Sequence, residues 1–112
     1  MKLLKLSQDM YEVYRKTVKG NEHTSLDQAR RKLTRNVLLA KEVSNWLQKL
    51  IGKSIYLYGN LHITVQFGKV VALENHYGNT NGDWKLDKKE YIRLSKELGI
   101  TDNKFAKKKK RK

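Results

Sequence analysis

The spacing of apolar residues changes along this chain, from every third or fourth residue to every second residue and back. Before about Lys53 the apolar positions are those of amphipathic helices, and between Lys53 and Asn75 they alternate as in strands. From Asp87 onward the helical spacing returns. The pattern therefore predicts an α+β domain in which the helices flank a block of strands.

Two helices are predicted before the strands. The first runs from Leu3 to Val18 and is stopped by Gly20-Asn21. Thr24 to Asp27 is close to a capping box and begins a second, long helical pattern that continues to about Gly52. At 1.5 Å per residue this helix would be roughly 40 Å long. Because a domain of this size is narrower than that, the helix should bend near Asn36 or protrude.

Apolar residues also lie off the main stripe of the long helix, at Leu38, Leu39 and Trp46. Two apolar sides are typical of a central helix that packs against another helix on one side and a sheet on the other. We favour that interpretation, and a homodimer interface is the alternative.

Three antiparallel strands joined by short turns are predicted from Ser54 to Glu74, with turns at Gly59-Asn60 and Gly68-Lys69. The middle strand alternates apolar and polar residues. Its apolar side, which we expect to face the long helix across the core, consists of Leu61, Ile63, Val65 and Phe67.

A final helix is predicted from Asp87 to Leu98, with Gly99 as its stop. It would complete a single domain spanning residues 1–103. Residues 104–112 contain seven cations and little that could be buried, so we expect them to form a disordered basic tail.

The chain carries 25 Lys and Arg residues against 11 Asp and Glu residues, a formal net charge of +14. Without the seven cations of the tail, +7 remains. A folded domain with this charge repels itself unless a polyanion screens it, and nucleic acid is the commonest polyanion. The composition therefore predicts a protein that binds DNA or RNA, mainly through phosphate contacts and with weak sequence preference.

The candidate phosphate contacts lie in the long helix, just after it and in the tail. They are Arg30, Arg31, Lys32, Arg35, Lys49, Lys53, Lys104, Lys107, Lys108, Lys109, Lys110, Arg111 and Lys112. Arg31 and Arg35 are expected to point away from the apolar stripe and to be exposed. Tyr56 and Tyr58, predicted opposite the core face of the first strand, are candidates for stacking on unpaired bases. Exposed strand tyrosines more often only cover a sheet.

The alternative function is that of a small inhibitor or accessory protein, of the kind that phages and mobile elements encode. The stretch between Lys53 and Asn75 holds one Lys and one Glu and is nearly neutral. Such a sheet could bind a nucleic-acid-handling protein or its nucleic-acid complex. Salt separates the two functions, because phosphate binding weakens steeply with salt and an apolar interface does not.

The segment from Asn79 to Glu90 resembles the calcium loop of EF-hand and dockerin-type repeats. Oxygen-bearing side chains stand at the positions that ligate calcium in such loops, namely Asn79, Asn81, Asp83, Asp87 and Glu90. Trp84, however, replaces the glycine that the sharp turn of the loop requires, and a strand rather than a helix precedes it. We therefore favour a surface turn in which Asp87 caps the final helix, without bound calcium.

The segment from Leu94 to Thr101 resembles the first helix and turn of a helix-turn-helix motif, in which Leu-Gly-Ile-Thr commonly precedes the recognition helix. That second helix would run from Asp102 to Lys112, where Phe105 and Ala106 would be its apolar residues. An ordinary helix end followed by a basic tail is the interpretation we favour.

Enzyme function finds little support in the sequence. The three histidines are scattered, and no Gly-rich phosphate loop, nucleophile elbow or HExxH pattern occurs. We therefore expect no catalysis and no cofactor. The absence of cysteine fits a reducing cytoplasmic location, and the absence of a run of about 18 apolar residues predicts no membrane span.

Overall fold

The structure, a computed structural model, describes residues 2–18, 20–75 and 84–101, and in these residues it contains four helices and a four-stranded antiparallel sheet. The elements in chain order are α1 (Gln8–Thr17), α2 (Leu26–Leu39), β1 (Lys41–Glu42), α3 (Trp46–Leu50), β2 (Lys53–Tyr58), β3 (Leu61–Gln66), β4 (Lys69–Asn75) and α4 (Lys88–Glu97). The α+β class predicted from the sequence is confirmed. Residues 104–112, predicted as a disordered tail, lie outside the described residues.

The single long helix predicted up to Gly52 is wrong, because the chain leaves the helix after Leu39. It pairs β1 with β2 and re-enters a helix at Trp46, which adds a fourth strand to the predicted three. Two polar side chains explain the break. Asn45 forms a capping box with Gln48, and the Ser44 hydroxyl accepts a 2.7 Å hydrogen bond from the backbone N–H of Ile55. Both side chains accept hydrogen bonds from backbone N–H groups. Neither contact could form if the helix continued through residues 40–46.

The first helix begins at Gln8 rather than at Leu3, because the hydroxyl of Ser7 caps it. The residues before it are extended and run beside the start of β4. Lys5 donates its N–H to the carbonyl of Gly68 at 2.8 Å, and its carbonyl accepts the N–H of Val70 at 3.0 Å. The N-terminal segment therefore covers the outer edge of the sheet where β4 begins.

The sheet has the order β1-β2-β3-β4, and β3 presents Leu61, Ile63 and Val65 to the core as predicted. These side chains pack with buried residues of α1 and α2, among them Tyr14 and Leu33. Phe67, predicted as the fourth core residue of this strand, is exposed instead. The alternation ends at Gln66, where β3 ends, and Phe67 lies in the turn that follows.

The turn between β3 and β4 is formed by Phe67 and Gly68, one residue earlier than the predicted Gly68-Lys69. Both residues have positive φ, 52° and 76° respectively. A two-residue hairpin turn with positive φ at both positions matches the right-handed twist of the strands. The predicted turn at Gly59-Asn60 is confirmed, since β2 ends at Tyr58 and β3 begins at Leu61.

The two tyrosines of β2 lie on the core side of the sheet, so the prediction that they lie opposite the core is wrong. Tyr56 is directly across from Ile63 and Tyr58 from Leu61, and residues paired in this way share a face. Both tyrosines pack against the core. The sequence was ambiguous because Ile55 and Leu57, on the opposite face, are apolar too.

The final helix agrees with the sequence. Asp87 caps α4 by accepting the N–H of Glu90, as predicted. After the helix, Gly99 has a φ of 70°, its N–H bonds to the carbonyl of Lys96, and the N–H of Ile100 bonds to the carbonyl of Ser95. This pair of hydrogen bonds is a Schellman motif, which ends the helix and turns Ile100 inward.

Candidate interaction surface

The basic residues of α2, predicted as phosphate contacts, are turned largely toward other parts of the protein. Arg35 is only 5% exposed, and its guanidinium lies 4.1 Å from the centroid of the Tyr91 ring. It also donates to the hydroxyl of Ser95 and to the side-chain oxygen of Asn36, each at 3.1 Å. The expectation that Arg35 is exposed is wrong, because α4 packs over this side of α2.

The other three basic residues of α2 also make internal contacts. Lys32 is 5% exposed and donates to the Asn21 side chain at 2.9 Å. Arg30 donates to the carbonyl of Leu4 at 2.9 Å. Arg31 is half-buried between the carboxylate of Asp27 and the carbonyl of Leu98. Arg30 and Arg31 tie α2 to the two ends of the described chain, and Lys32 ties it to the loop before it. A phosphate would have to displace such contacts.

The predicted contacts at Lys49 and Lys53 lie on and after α3. Lys49 is exposed, and its ammonium group is 3.0 Å from the carboxylate of Glu42. The hydrogen bond from Lys49 is the main reason that the pKa of Glu42 is lowered. Lys53, at the start of β2, is half-buried. The seven predicted cations between 104 and 112 lie outside the described residues.

The carboxylates of the calcium-loop resemblance that the structure describes have other roles. Asp87 caps α4, and Glu90 accepts hydrogen bonds from Arg93. Asn79, Asn81 and Asp83 lie outside the described residues. Within residues 2–18, 20–75 and 84–101, no group of three or more His, Asp or Glu residues is placed to hold a metal ion.

The described helices include none with the length and apolar character needed to cross a bilayer.

The second helix of the helix-turn-helix resemblance, residues 102–112, is also outside the described residues. The turn that would precede it is the Schellman motif at Gly99.

An exposed apolar surface occupies the corner formed by α3 and the β3–β4 turn. The helix has no buried residue, although most of its positions and its C-cap are apolar. The exposed fractions of the five large apolar side chains are Trp46 72%, Leu47 55%, Leu50 74%, Ile51 53% and Phe67 78%. We call these five residues the apolar corner. Contiguous apolar patches of this kind are uncommon on monomeric proteins and mark interaction sites.

Backbone contacts join the two parts of the apolar corner. The N–H of Phe67 bonds to the carbonyl of Gly52 at 3.2 Å, and the Gln66 side-chain amide donates to the carbonyl of Ile51 at 3.2 Å. The Phe67 ring lies over Gly52, where a Cβ atom would stand 2.2 Å from its Cε1. The hairpin turn and the end of α3 therefore form one surface.

The sequence of the chain matches the YorE family over residues 4–97. The chain belongs to the YorE family. It is 41% identical over 111 residues to the SPbeta prophage-derived protein YorE of Bacillus subtilis strain 168, an alignment that covers 96% of this chain and 90% of that protein. No solved structure matches the chain. The part that matches the YorE family includes the whole apolar corner.

A shallow groove borders the apolar corner of this YorE-family chain. It has a volume of about 350 Å³ and is lined by Lys2, Leu3, Leu4, Lys5, Phe67 and Gly68. The apolar spacing of the sequence predicted neither feature, because a helix continuous to Gly52 would have Leu47, Leu50 and Ile51 on its buried stripe. The Asn45–Gln48 capping box was the signal that could have revealed the short exposed helix.

Proposed function

We propose that this protein is a phage- or mobile-element-encoded accessory protein or inhibitor, which acts by binding another protein through the apolar corner. The observation that carries the proposal is that α3 has no buried residue while Trp46, Leu47, Leu50 and Ile51 are exposed. A short helix with its apolar side chains in water is unfavourable in isolation, and a partner that covers it removes that cost. The prophage origin of the relative in Bacillus subtilis supports the proposed origin.

The composition of the corner suits a protein interface. Aromatic side chains dominate binding energy at such interfaces, and Trp46 and Phe67 are both more than two-thirds exposed. Complete burial of a large apolar side chain is worth about 1.5 to 3 kcal/mol. The near-neutral charge of the stretch between Lys53 and Asn75 predicted this interface on the sheet. We now place it on α3 and the β3–β4 turn, where these side chains lie.

A second copy of the chain is a less suitable partner. Two molecules that each carry a formal charge of +14 repel one another, and this repulsion opposes close self-association. Of the three residues considered for a dimer interface, Leu39 packs with Leu94, Leu98 and Ile100, whereas Leu38 and Trp46 are exposed. A partner of a different kind is therefore the proposal, and a homodimer is the alternative.

The test is site-specific photo-cross-linking of the full chain in its native host. With benzoylphenylalanine at position 50, we expect one dominant adduct, which mass spectrometry identifies. The purified protein found in this adduct should then bind the wild-type chain and not a Trp46→Ser/Leu50→Ser variant. A cross-linker at position 16, exposed on α1, is the matched control. Equal adducts from both positions, or binding that survives the double substitution, would contradict the proposal.

The net charge favours a second candidate function, nucleic-acid binding through phosphate contacts. Buried Lys32 and Arg35 are poor contacts, so exposed lysines and the cations of residues 104–112 would supply the charge. We expect truncation after residue 103 to weaken binding to duplex and single strand alike. The slope of log K against log salt should flatten by roughly 0.7 to 0.9 per contact removed. Absence of binding near physiological salt would exclude this function.

A further inference from the structure

The charge around the apolar corner is strongly one-sided. Five lysines line the groove or lie within two residues of a corner residue, and they are Lys2, Lys5, Lys49, Lys53 and Lys69. The one carboxylate in the sequence from residue 41 to residue 69 is Glu42. Glu42 is already paired with Lys49 at 3.0 Å. The field around the corner therefore attracts carboxylates.

We infer that the apolar corner and the groove beside Phe67 together bind an acidic protein segment. Its apolar side chains would contact the corner, and its Asp or Glu side chains would lie in the groove near Lys2 and Lys5. This inference rests on the proposed protein-binding function and adds the chemistry of the partner.

The groove has walls that are fixed by hydrogen bonds. Lys5 is paired with Gly68 and Val70 through its backbone, which holds the N-terminal segment beside the turn. The preceding residue, Leu4, is held by two residues of α2. Its N–H donates to the Thr34 hydroxyl at 3.0 Å, and its carbonyl accepts a hydrogen bond from Arg30 at 2.9 Å. Lys5 is thus displayed from an anchored backbone, and less conformational entropy is lost when a partner binds there.

The shape and chemistry of this surface favour a protein over the other polyanions. Three of the five corner residues, Leu47, Leu50 and Ile51, are aliphatic, and a phosphate backbone offers them no apolar contact. Bases stack on flat aromatic rings rather than on branched chains. An anionic bilayer would accept the apolar side chains, but it has no protruding side chain to fill the groove. An acidic segment with apolar anchors meets all of these features.

The inference can be tested with a random library of displayed dodecapeptides, so that the natural partner need not be known. The full chain is the bait, and the Trp46→Ser/Leu50→Ser variant removes peptides that bind elsewhere. We expect the selected peptides to combine Asp or Glu with Leu, Phe or Trp. The substitutions Lys2→Gln and Lys5→Gln together should weaken a selected synthetic peptide about tenfold, as expected for the loss of two ion pairs. The matched pair Lys16→Gln and Lys96→Gln, on α1 and α4, should not.

Other outcomes overturn the inference. The proposal that the partner is an acidic segment would be contradicted by any of three results. These are selected peptides that are neutral or basic, the absence of any selected peptide, and equal effects of the two pairs of lysine substitutions. Phosphatidylglycerol vesicles and a mixed-sequence single strand are tested in parallel, by sedimentation of the vesicles and by gel mobility shift of the strand. If no peptide binds, and if the vesicles or the strand bind the wild type and not the Trp46→Ser variant, the corner is a site for a bilayer or for nucleic acid. A specific cellular adduct from position 50 would still support the proposed function when no acidic peptide is selected.

Discussion

The ring of Phe67 lies over Gly52, so closely that a Cβ atom on Gly52 would stand 2.2 Å from Cε1 of Phe67. Gly52 has a φ of 77°, and Phe67 itself has a φ of 52°. The left-handed region costs a side-chain-bearing residue roughly 1 to 2 kcal/mol, and a hairpin turn of this type prefers Asn, Asp or Gly. The protein thus keeps an exposed phenylalanine at a strained position, which is consistent with a contact that lies outside the folded chain.

Gly52→Ala should lower the free energy of unfolding by about 2 kcal/mol, for two reasons. A residue with a side chain is strained at a positive φ, and the added Cβ atom must displace the Phe67 ring. The matched control is Gly20→Ala, at a φ of 86° with no atom within 4 Å of the added Cβ. This substitution should lower the free energy of unfolding by about 1 kcal/mol, from the backbone strain alone. Urea denaturation measures both. Equal losses would show that the Phe67 ring does not rest on Gly52.

Phe67→Asn should leave the protein as stable as the wild type or slightly more stable. Asn tolerates the left-handed conformation, and the lost ring is mostly in water. Partner binding should fall sharply, because the substitution removes one aromatic of the apolar corner. A melting curve together with the cross-link yield from position 50 checks both effects. A strong fall in stability would show that Phe67 belongs to the fold rather than to an interface.

Arg35→Gln should destabilise the protein by about 2 kcal/mol, since it removes the contact with the Tyr91 ring and the two hydrogen bonds that the guanidinium donates inside the protein. The control is Arg93→Gln on the exposed face of α4. Arg93 pairs with Glu90 and Glu97 at the surface, where ion pairs add little. Thermal unfolding of the two variants should therefore differ clearly. Similar melting temperatures would contradict the burial of Arg35.

Tyr58 should give the stability of the protein a pH dependence at alkaline pH. Burial is the main cause that raises its pKa to about 12. The unfolded chain releases this proton near pH 10, while the folded chain retains it, so stability should fall as the pH rises from about 10 to 12. Tyr58→Phe should lose less stability than the wild type across this range. Identical pH profiles for the two proteins would show that Tyr58 titrates normally.

The elements that local signals determine could be predicted from the sequence. Asp87 and Gly99 mark the two ends of α4, and the alternation from Leu61 to Val65 sets the core face of β3. The hydrophobic spacing failed between α2 and β2, because it continues through residues 41–52 while Ser44 and Asn45 satisfy backbone groups outside a helix. Local capping therefore overrode periodicity there.

The candidate site was harder to predict, because exposure depends on what the rest of the chain covers. Arg35 lies off the apolar stripe of α2, yet it is buried because α4 packs over it. That helix begins 53 residues further along the chain. The corner residues Leu47, Leu50 and Ile51 have core-like composition, but no element of the described chain buries them. Neither outcome follows from one-dimensional spacing, since both are set by tertiary packing.

The most direct test of the central claim is the binding of the photo-cross-linked partner, once purified, to the Trp46→Ser/Leu50→Ser variant. Both side chains are more than two-thirds exposed, so the variant should melt within about 2 °C of the wild type. The predicted result is that partner binding is lost while this stability is kept. Binding at wild-type affinity by the equally stable variant would show that the apolar corner is not the interface.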